Sequence, residues 1–226
     1  HALAEWHDDP VYGPELDRLA DLDLLAALSL HERAKGAASR WHALWQSAPG
    51  GAAVDGLPLK LCQAKLMAVR KHAPEVAVRM EQAQYAVAER WEASSLLRSE
   101  SVAPQLGDFL AAAALVQSRV FGVQVRDAEG AWHDTQCLVP FADLINACAA
   151  GQSNVDCATN PASTHFECRA TAAVRAGAFL CAPYADQGEN GRLLAGYGFA
   201  LPPTPDASAA DRAAFAAYLA ALDTPC

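Results

Sequence analysis

The sequence changes its repeat near Val120, and that change narrows the folds open to it more than any other feature. Residues 108–117 are alanine-rich behind Asp108, an acceptable helix cap, whereas Val120, Val123 and Val125 are β-branched and run into the turn Asp127-Ala128-Glu129-Gly130. Upstream the pattern is helical. Leu19, Leu22, Leu25, Ala26, Leu28 and Leu30 keep mostly helical spacing up to Gly36, and Pro49-Gly50-Gly51 then punctuates the chain. Residues 59–70 and 75–97 are rich in helix formers, with Tyr85, Ala88, Trp91 and Leu96 as candidate buried positions. Downstream the pieces are short and extended, at 136–140, 165–171 and 179–184, between Asn-, Gly- and Ser-rich loops. An alanine-rich helix at 207–222 follows Pro202-Pro203-Thr204-Pro205, which blocks continuous helix, so it either docks on the rest or opens another domain. The fold class expected is α+β.

Charge excludes one large class of partner. Seventeen Lys and Arg against 26 Asp and Glu give a net charge of −9, so the chain has no broad basic face to neutralise a nucleic-acid backbone. No apolar run approaches the roughly 20 residues that a bilayer core requires, so no membrane span is expected. Seven cysteines, at 62, 137, 148, 157, 168, 181 and 226, are an odd number without a CxxC pair, which argues against a zinc knuckle and a disulfide framework. Free thiols and a reducing compartment are expected, with Cys148, Cys157 and Cys168 as buried thiols. His31, His42, His72, His133 and His165 lack metal-ligand spacing and read as surface or satisfied core histidines. Trp41, Trp45 and Trp91 read as packing anchors of the helices.

The segment Leu138-Val139-Pro140-Phe141-Ala142-Asp143-Leu144-Ile145-Asn146-Ala147-Cys148 precedes Tyr184, and then Asn190-Gly191-Arg192-Leu193-Leu194-Ala195-Gly196-Tyr197-Gly198-Phe199. In that order and spacing these resemble the SET-domain lysine methyltransferases of the Rubisco large-subunit methyltransferase type. Upstream, Ser118-Arg119-Val120-Phe121 matches that group's Ser-Arg-x-Phe segment, and residues 25–41 are similar to the first helix of its helical insert. The likeness spans most of residues 17–203.

The resemblance implies a β-rich SET core, of which this chain carries the C-terminal half, interrupted by a long α-helical insertion. Residues 1–115 would be the insert, 116–203 the C-terminal half of the core, and 204–226 the start of the C-terminal helical domain that grips protein substrates in that group. The N-terminal SET half, with its Gly-x-Gly loop, is not in this sequence. The implied reaction is methyl transfer from S-adenosylmethionine to a lysine amine of a protein. That step needs aligned donor and acceptor and a neutral amine, and deprotonating an ordinary lysine near pH 7.4 takes about 4 kcal/mol. By resemblance Tyr184 and Tyr197 are the catalytic pair, with Tyr184 at the end of the lysine channel and Tyr197 and Phe199 in its wall. The cofactor set is Ser118, Arg119, Asp143, Asn146, Ala147 and Phe199, with Asn146 on the amino-acid end and Arg119 on its carboxylate. No metal is implied.

Two departures stand out. The group's usual Asn-His-Ser is Asn146-Ala147-Cys148 here, which predicts weaker cofactor affinity, and its Tyr-Gly is Tyr184-Ala185. The alternative reading is therefore a SET-fold subunit with weakened or lost catalysis that serves as an interaction component of a larger assembly. The protein substrate, and plastid, cytosol or nucleus as its compartment, are left open by the sequence.

Overall fold

A computed structural model describes residues 6–47, 52–126, 130–149, 151–160, 165–186 and 188–226. The punctuation at Pro49-Gly50-Gly51 and the first three residues of the turn at 127–130 lie outside the described residues. The architecture is mixed α+β, as the change of period predicts. Four longer helices come first: α1 (Asp21–Ala34), α2 (Gln63–His72), α3 (Pro74–Ala93) and α4 (Leu106–Gln117). Of these α4 is the central one. Phe109, Ala112, Ala113, Ala114, Leu115 and Val116 are all buried, so it is apolar around most of its circumference and needs cover on more than one side. Leucines of α1 pack on it with Ala26 and Ala27, and Val87 of α3 joins the same core.

Helix α3 ends at Ala93, earlier than its helix-forming composition suggests, because Ser94, Ser95, Leu96 and Leu97 form a separate turn around one carboxylate. Glu15 accepts from the Ser94 hydroxyl at 2.6 Å, the Ser95 hydroxyl, and the Leu96 and Ser95 amides at 3.2 and 3.3 Å. Burial pushes its carboxyl up, but these four donors outweigh that and hold it below the usual carboxylate range. Leu96 is fully buried and Trp91 half-buried, its indole donating to the Ala103 carbonyl at 3.0 Å, as their apolar character predicts. Tyr85 is not buried. It is 69% exposed, because the inward stripe of α3 runs through Val76, Met80, Ala83 and Val87, and residue 85 falls on the opposite face. Trp41 is 37% exposed, with the Arg40 guanidinium 5.0 Å from its ring centroid.

Beyond α4 the described residues form three two-stranded ladders. Strands β1 (Val120–Arg126) and β2 (Trp132–Leu138) pair antiparallel with Val120 opposite Leu138. The two-residue strands β3 (Asn146–Ala147) and β6 (Cys181–Ala182) pair in parallel, and β4 (Val155–Thr159) and β5 (Phe166–Ala170) pair antiparallel. Helix α5 (Asn190–Tyr197) follows, then α6 (Ala209–Asp223), whose Ser208 cap accepts from the Asp211 amide at 3.1 Å. Ala217 and Ala221 of α6 pack with Leu66 and Val69 of α2, Met80 of α3 and Leu194 of α5 in a second core. Among the described residues no helix is long and apolar enough to cross a membrane.

The cysteines correct the sequence reading. Cys62 is bonded to Cys226, which ties the chain end to the start of α2, and Cys157 to Cys168 across the β4–β5 ladder. Cys157 and Cys168 are thus not free thiols, while Cys137, Cys148 and Cys181 are. The argument from free thiols to a reducing compartment loses its footing. An odd count hid two bridges because pairing depends on proximity in the fold, which spacing alone does not encode.

Candidate functional site

All eight residues singled out in the sequence meet at two adjoining open clefts. One, of about 310 Å³, is lined by Ser118, Arg119, Asp143, Asn146, Ala147, Tyr184 and Phe199, among others. The second, of about 200 Å³, shares Ser118, Arg119, Asp143 and Tyr184 and adds Tyr197. Each wall has a local cause. Helix α4 ends at Gln117, and Ser118 closes it by donating its hydroxyl to the Leu115 carbonyl at 2.9 Å. That hydroxyl is spent on its own helix, so Ser118 offers the cleft less than its sequence position promises. Arg119 leaves the helix end pointing across to the 3-10 turn Ala142–Leu144, where its Nη1 donates to the Asp143 carboxylate at 3.0 Å and the Asp143 carbonyl at 3.1 Å. The turn is entered through Phe141, which has φ +72° and is the one described residue other than glycine in the positive-φ region. Strain of this kind, on the order of 1–3 kcal/mol, persists where surrounding structure dictates the chain path.

The Arg119–Asp143 pair leaves two buried atoms without partners, Arg119 Nε and Asp143 Oδ1. One is a donor on a cation and the other an acceptor on an anion. Beside them Ile145 is buried, Asn146 is exposed, and the Asn146 amide donates to the Leu180 carbonyl at 3.1 Å in the β3–β6 ladder.

The aromatic wall stands opposite. Tyr184 and Tyr197 have ring centroids 4.9 Å apart, and Phe199 lies 6.2 and 6.1 Å from them. The Tyr184 hydroxyl donates to the Ile145 carbonyl at 2.6 Å, so the ring is fixed against the strand carrying Asn146. Burial pushes the Tyr184 phenol above its ordinary value, repulsion from Tyr197 and Asp143 adds to this, and Arg119 works against it. Tyr184 is therefore an uncharged hydrogen-bonding phenol at neutral pH. The native state binds this proton more tightly than the unfolded chain, so stability falls as pH climbs past the ordinary tyrosine value near 10. In an ultraviolet pH titration one of the five tyrosines is expected to ionise after the rest, and Tyr184→Phe to remove that late component.

Gly198 sets the spacing of the aromatics. It ends α5 in the left-handed region at φ +78°, and a Cβ there would stand 2.8 Å from the Gly56 carbonyl oxygen and 3.2 Å from Pro58 Cδ. Gly198→Ala is expected to cost about 1–3 kcal/mol of stability by denaturant unfolding, because it adds backbone strain to a contact that backbone atoms cannot relieve.

Two features escape sequence reasoning. Asn190, read only as part of a motif, is buried and clamps the segment after Phe199 to α6: its side chain exchanges hydrogen bonds with Leu201 at 2.8 and 2.9 Å, and its amide donates to Asp211 at 2.9 Å. Its burial beside a helix start carries no periodic signal. Cys181 is placed beside Cys148 by the β3–β6 pairing, between segments more than thirty residues apart. A larger cleft of about 450 Å³ lies between α5 and α6, but its buried polar groups, Asn190 and Asp211, are already committed to each other. Comparison of the chain with known protein families and with curated proteins finds no match.

Proposed function

We propose that this protein is an S-adenosylmethionine-dependent protein-lysine N-methyltransferase of the SET class. The observation that carries the reading is the unsatisfied pair of buried atoms, Arg119 Nε and Asp143 Oδ1, on residues that line both adjoining clefts together with the Tyr184, Tyr197 and Phe199 wall. The polar groups fit the cofactor's amino-acid end: Arg119 donates to its carboxylate, and the Asp143 carboxylate and the side-chain carbonyl oxygen of the exposed Asn146 accept from its ammonium. When bound, the cofactor supplies an electrophilic methyl group on a sulfonium. The chain's own residues orient the acceptor. Tyr184, Tyr197 and Phe199 offer an aromatic wall whose burial of the amine disfavours an ammonium relative to the neutral form. The Tyr184 phenol keeps its own proton and acts by position, its hydroxyl fixed on Ile145.

Titration calorimetry of S-adenosylmethionine and S-adenosylhomocysteine tests this. Micromolar binding that Asn146→Ala weakens at least tenfold supports the reading and justifies a substrate search with labelled methyl donor. A folded protein that binds neither at millimolar concentration sinks it and leaves a SET-fold interaction subunit, the reading that Ala147 favours.

A further inference from the structure

We propose that Cys148 and Cys181 form a redox-active dithiol at the edge of this cleft, converted to an intramolecular disulfide by a small-molecule disulfide of the glutathione class. The regulatory consequence rests on the methyltransferase reading, but the dithiol itself does not. Asn146 lies opposite Cys181 in the parallel β3–β6 register, and the Cys148 amide continues the ladder by donating to the Ala182 carbonyl at 3.2 Å. Cys148 is two residues beyond Asn146, so its side chain falls on the same face as that of Cys181. The register thus sets the two thiols as diagonal neighbours on one face of the ladder. Both are half-buried, which leaves an approach for a small oxidant, and neither belongs to the Cys62–Cys226 or Cys157–Cys168 bridges.

The pair has a built-in order of attack. Burial, the hydrogen bond to Cys181 and repulsion from a Cys181 thiolate push the Cys148 thiol up to about 12, so Cys148 keeps its proton and lends it to Cys181 as a hydrogen bond. Cys181, whose thiol donates to the Gln152 carbonyl at 3.4 Å, is the partner left to attack first. Its thiolate attacks one sulfur of oxidised glutathione, the glutathione S–S bond breaks, and one glutathione thiolate leaves. The hydrogen bond and the repulsion from Cys181 both end at that point, so Cys148 ionises more readily. Cys148 then attacks the Cys181 sulfur and expels the second glutathione. The two cysteines lose two electrons, the glutathione disulfide gains them, and the two thiol protons end on the two glutathione molecules.

Closing this bond moves the site. Diagonal neighbours on adjacent strands stand roughly 7–8 Å apart at Cα, whereas a disulfide needs about 4.4–6.8 Å. The Cys148 end of β3 must be drawn toward β6, and Asn146 and Ala147, which line the cleft, move with it. Oxidation therefore reshapes the segment assigned to the cofactor, and reduction restores it.

The test is to equilibrate the protein in mixtures of reduced and oxidised glutathione, trap thiols by alkylation in denaturant, and map peptides by mass spectrometry. The expected result is a Cys148–Cys181 linked peptide that grows with the oxidised fraction and reverses with reductant, while Cys137 stays alkylatable. In Cys148→Ser the reaction should stop at a Cys181–glutathione adduct. Alkylation of both cysteines across the whole series, or separate glutathione adducts without a link in the unmutated protein, would overturn the proposal. S-adenosylhomocysteine affinity is then measured in both states, with at least a tenfold loss expected on oxidation. Equal affinity in the two states would overturn the regulatory role. Binding in neither state would instead remove the methyltransferase reading, and the peptide map would still decide the dithiol.

Discussion

Arg119→Ala is expected to weaken S-adenosylhomocysteine binding by about 100-fold or more, since a charge-assisted hydrogen bond in a partly buried site is worth roughly 1.5–3 kcal/mol and the charge itself is lost with it. The side chain does two tasks with different atoms. Nη1 holds the Asp143 turn, while Nε is buried and free to donate. Arg119→Lys separates them. A lysine keeps the charge and can hold Asp143 as a point donor, but it has no second nitrogen to present beside the first. Near-normal stability with affinity reduced at least tenfold is the expected outcome for Arg119→Lys, read by calorimetry beside thermal unfolding. Unchanged affinity in a folded Arg119→Lys protein would show that Nε has no ligand to meet.

The eight residues that the resemblance singles out come together in the fold because each lies on a short, locally fixed segment. Arg119 follows a helix end, Asp143 and Asn146 sit three residues apart across one turn, and Tyr197 and Phe199 flank a glycine that only a left-handed backbone explains. Helix positions were legible, since α1, α2, α3, α4 and α6 bury apolar residues within single stretches of chain. What stayed hidden depends on distant partners. Strand β4 has one fully buried residue, Val155, so no alternation announces it, and the two residues of β3 find β6 only across a long loop. Strand β2 begins at Trp132 rather than at Gln136 because ladder pairing with β1, not its mostly exposed side chains, defines its start. Glu15 ends α3 from a segment about eighty residues away, and Cys62 meets Cys226 across 164 positions. Sequence spacing reports neighbours on one element and is silent on such closures.

The second large effect lies far from the cleft, at the pair joining α1 to α3. Asp23 is completely buried, and Arg90 approaches it with Nε and Nη2, the latter at 3.2 Å, while part of the Arg90 side chain remains in solvent. The two sides of this pair are not equivalent. Arg90→Met leaves a carboxylate sealed inside the helical core with its cation gone, and stranding a buried charge costs about 3–5 kcal/mol. For a chain of this length that lowers the unfolding midpoint by about 10 °C. Asp23→Leu is milder, because the exposed portion of Arg90 lets the released guanidinium turn toward water. The double variant Asp23→Leu/Arg90→Met should recover most of the loss, since neither desolvated charge remains. Chemical denaturation of the four proteins closes this cycle. A double variant as unstable as Arg90→Met would mean that the shape of the ion pair, rather than its charge, holds α1 to α3.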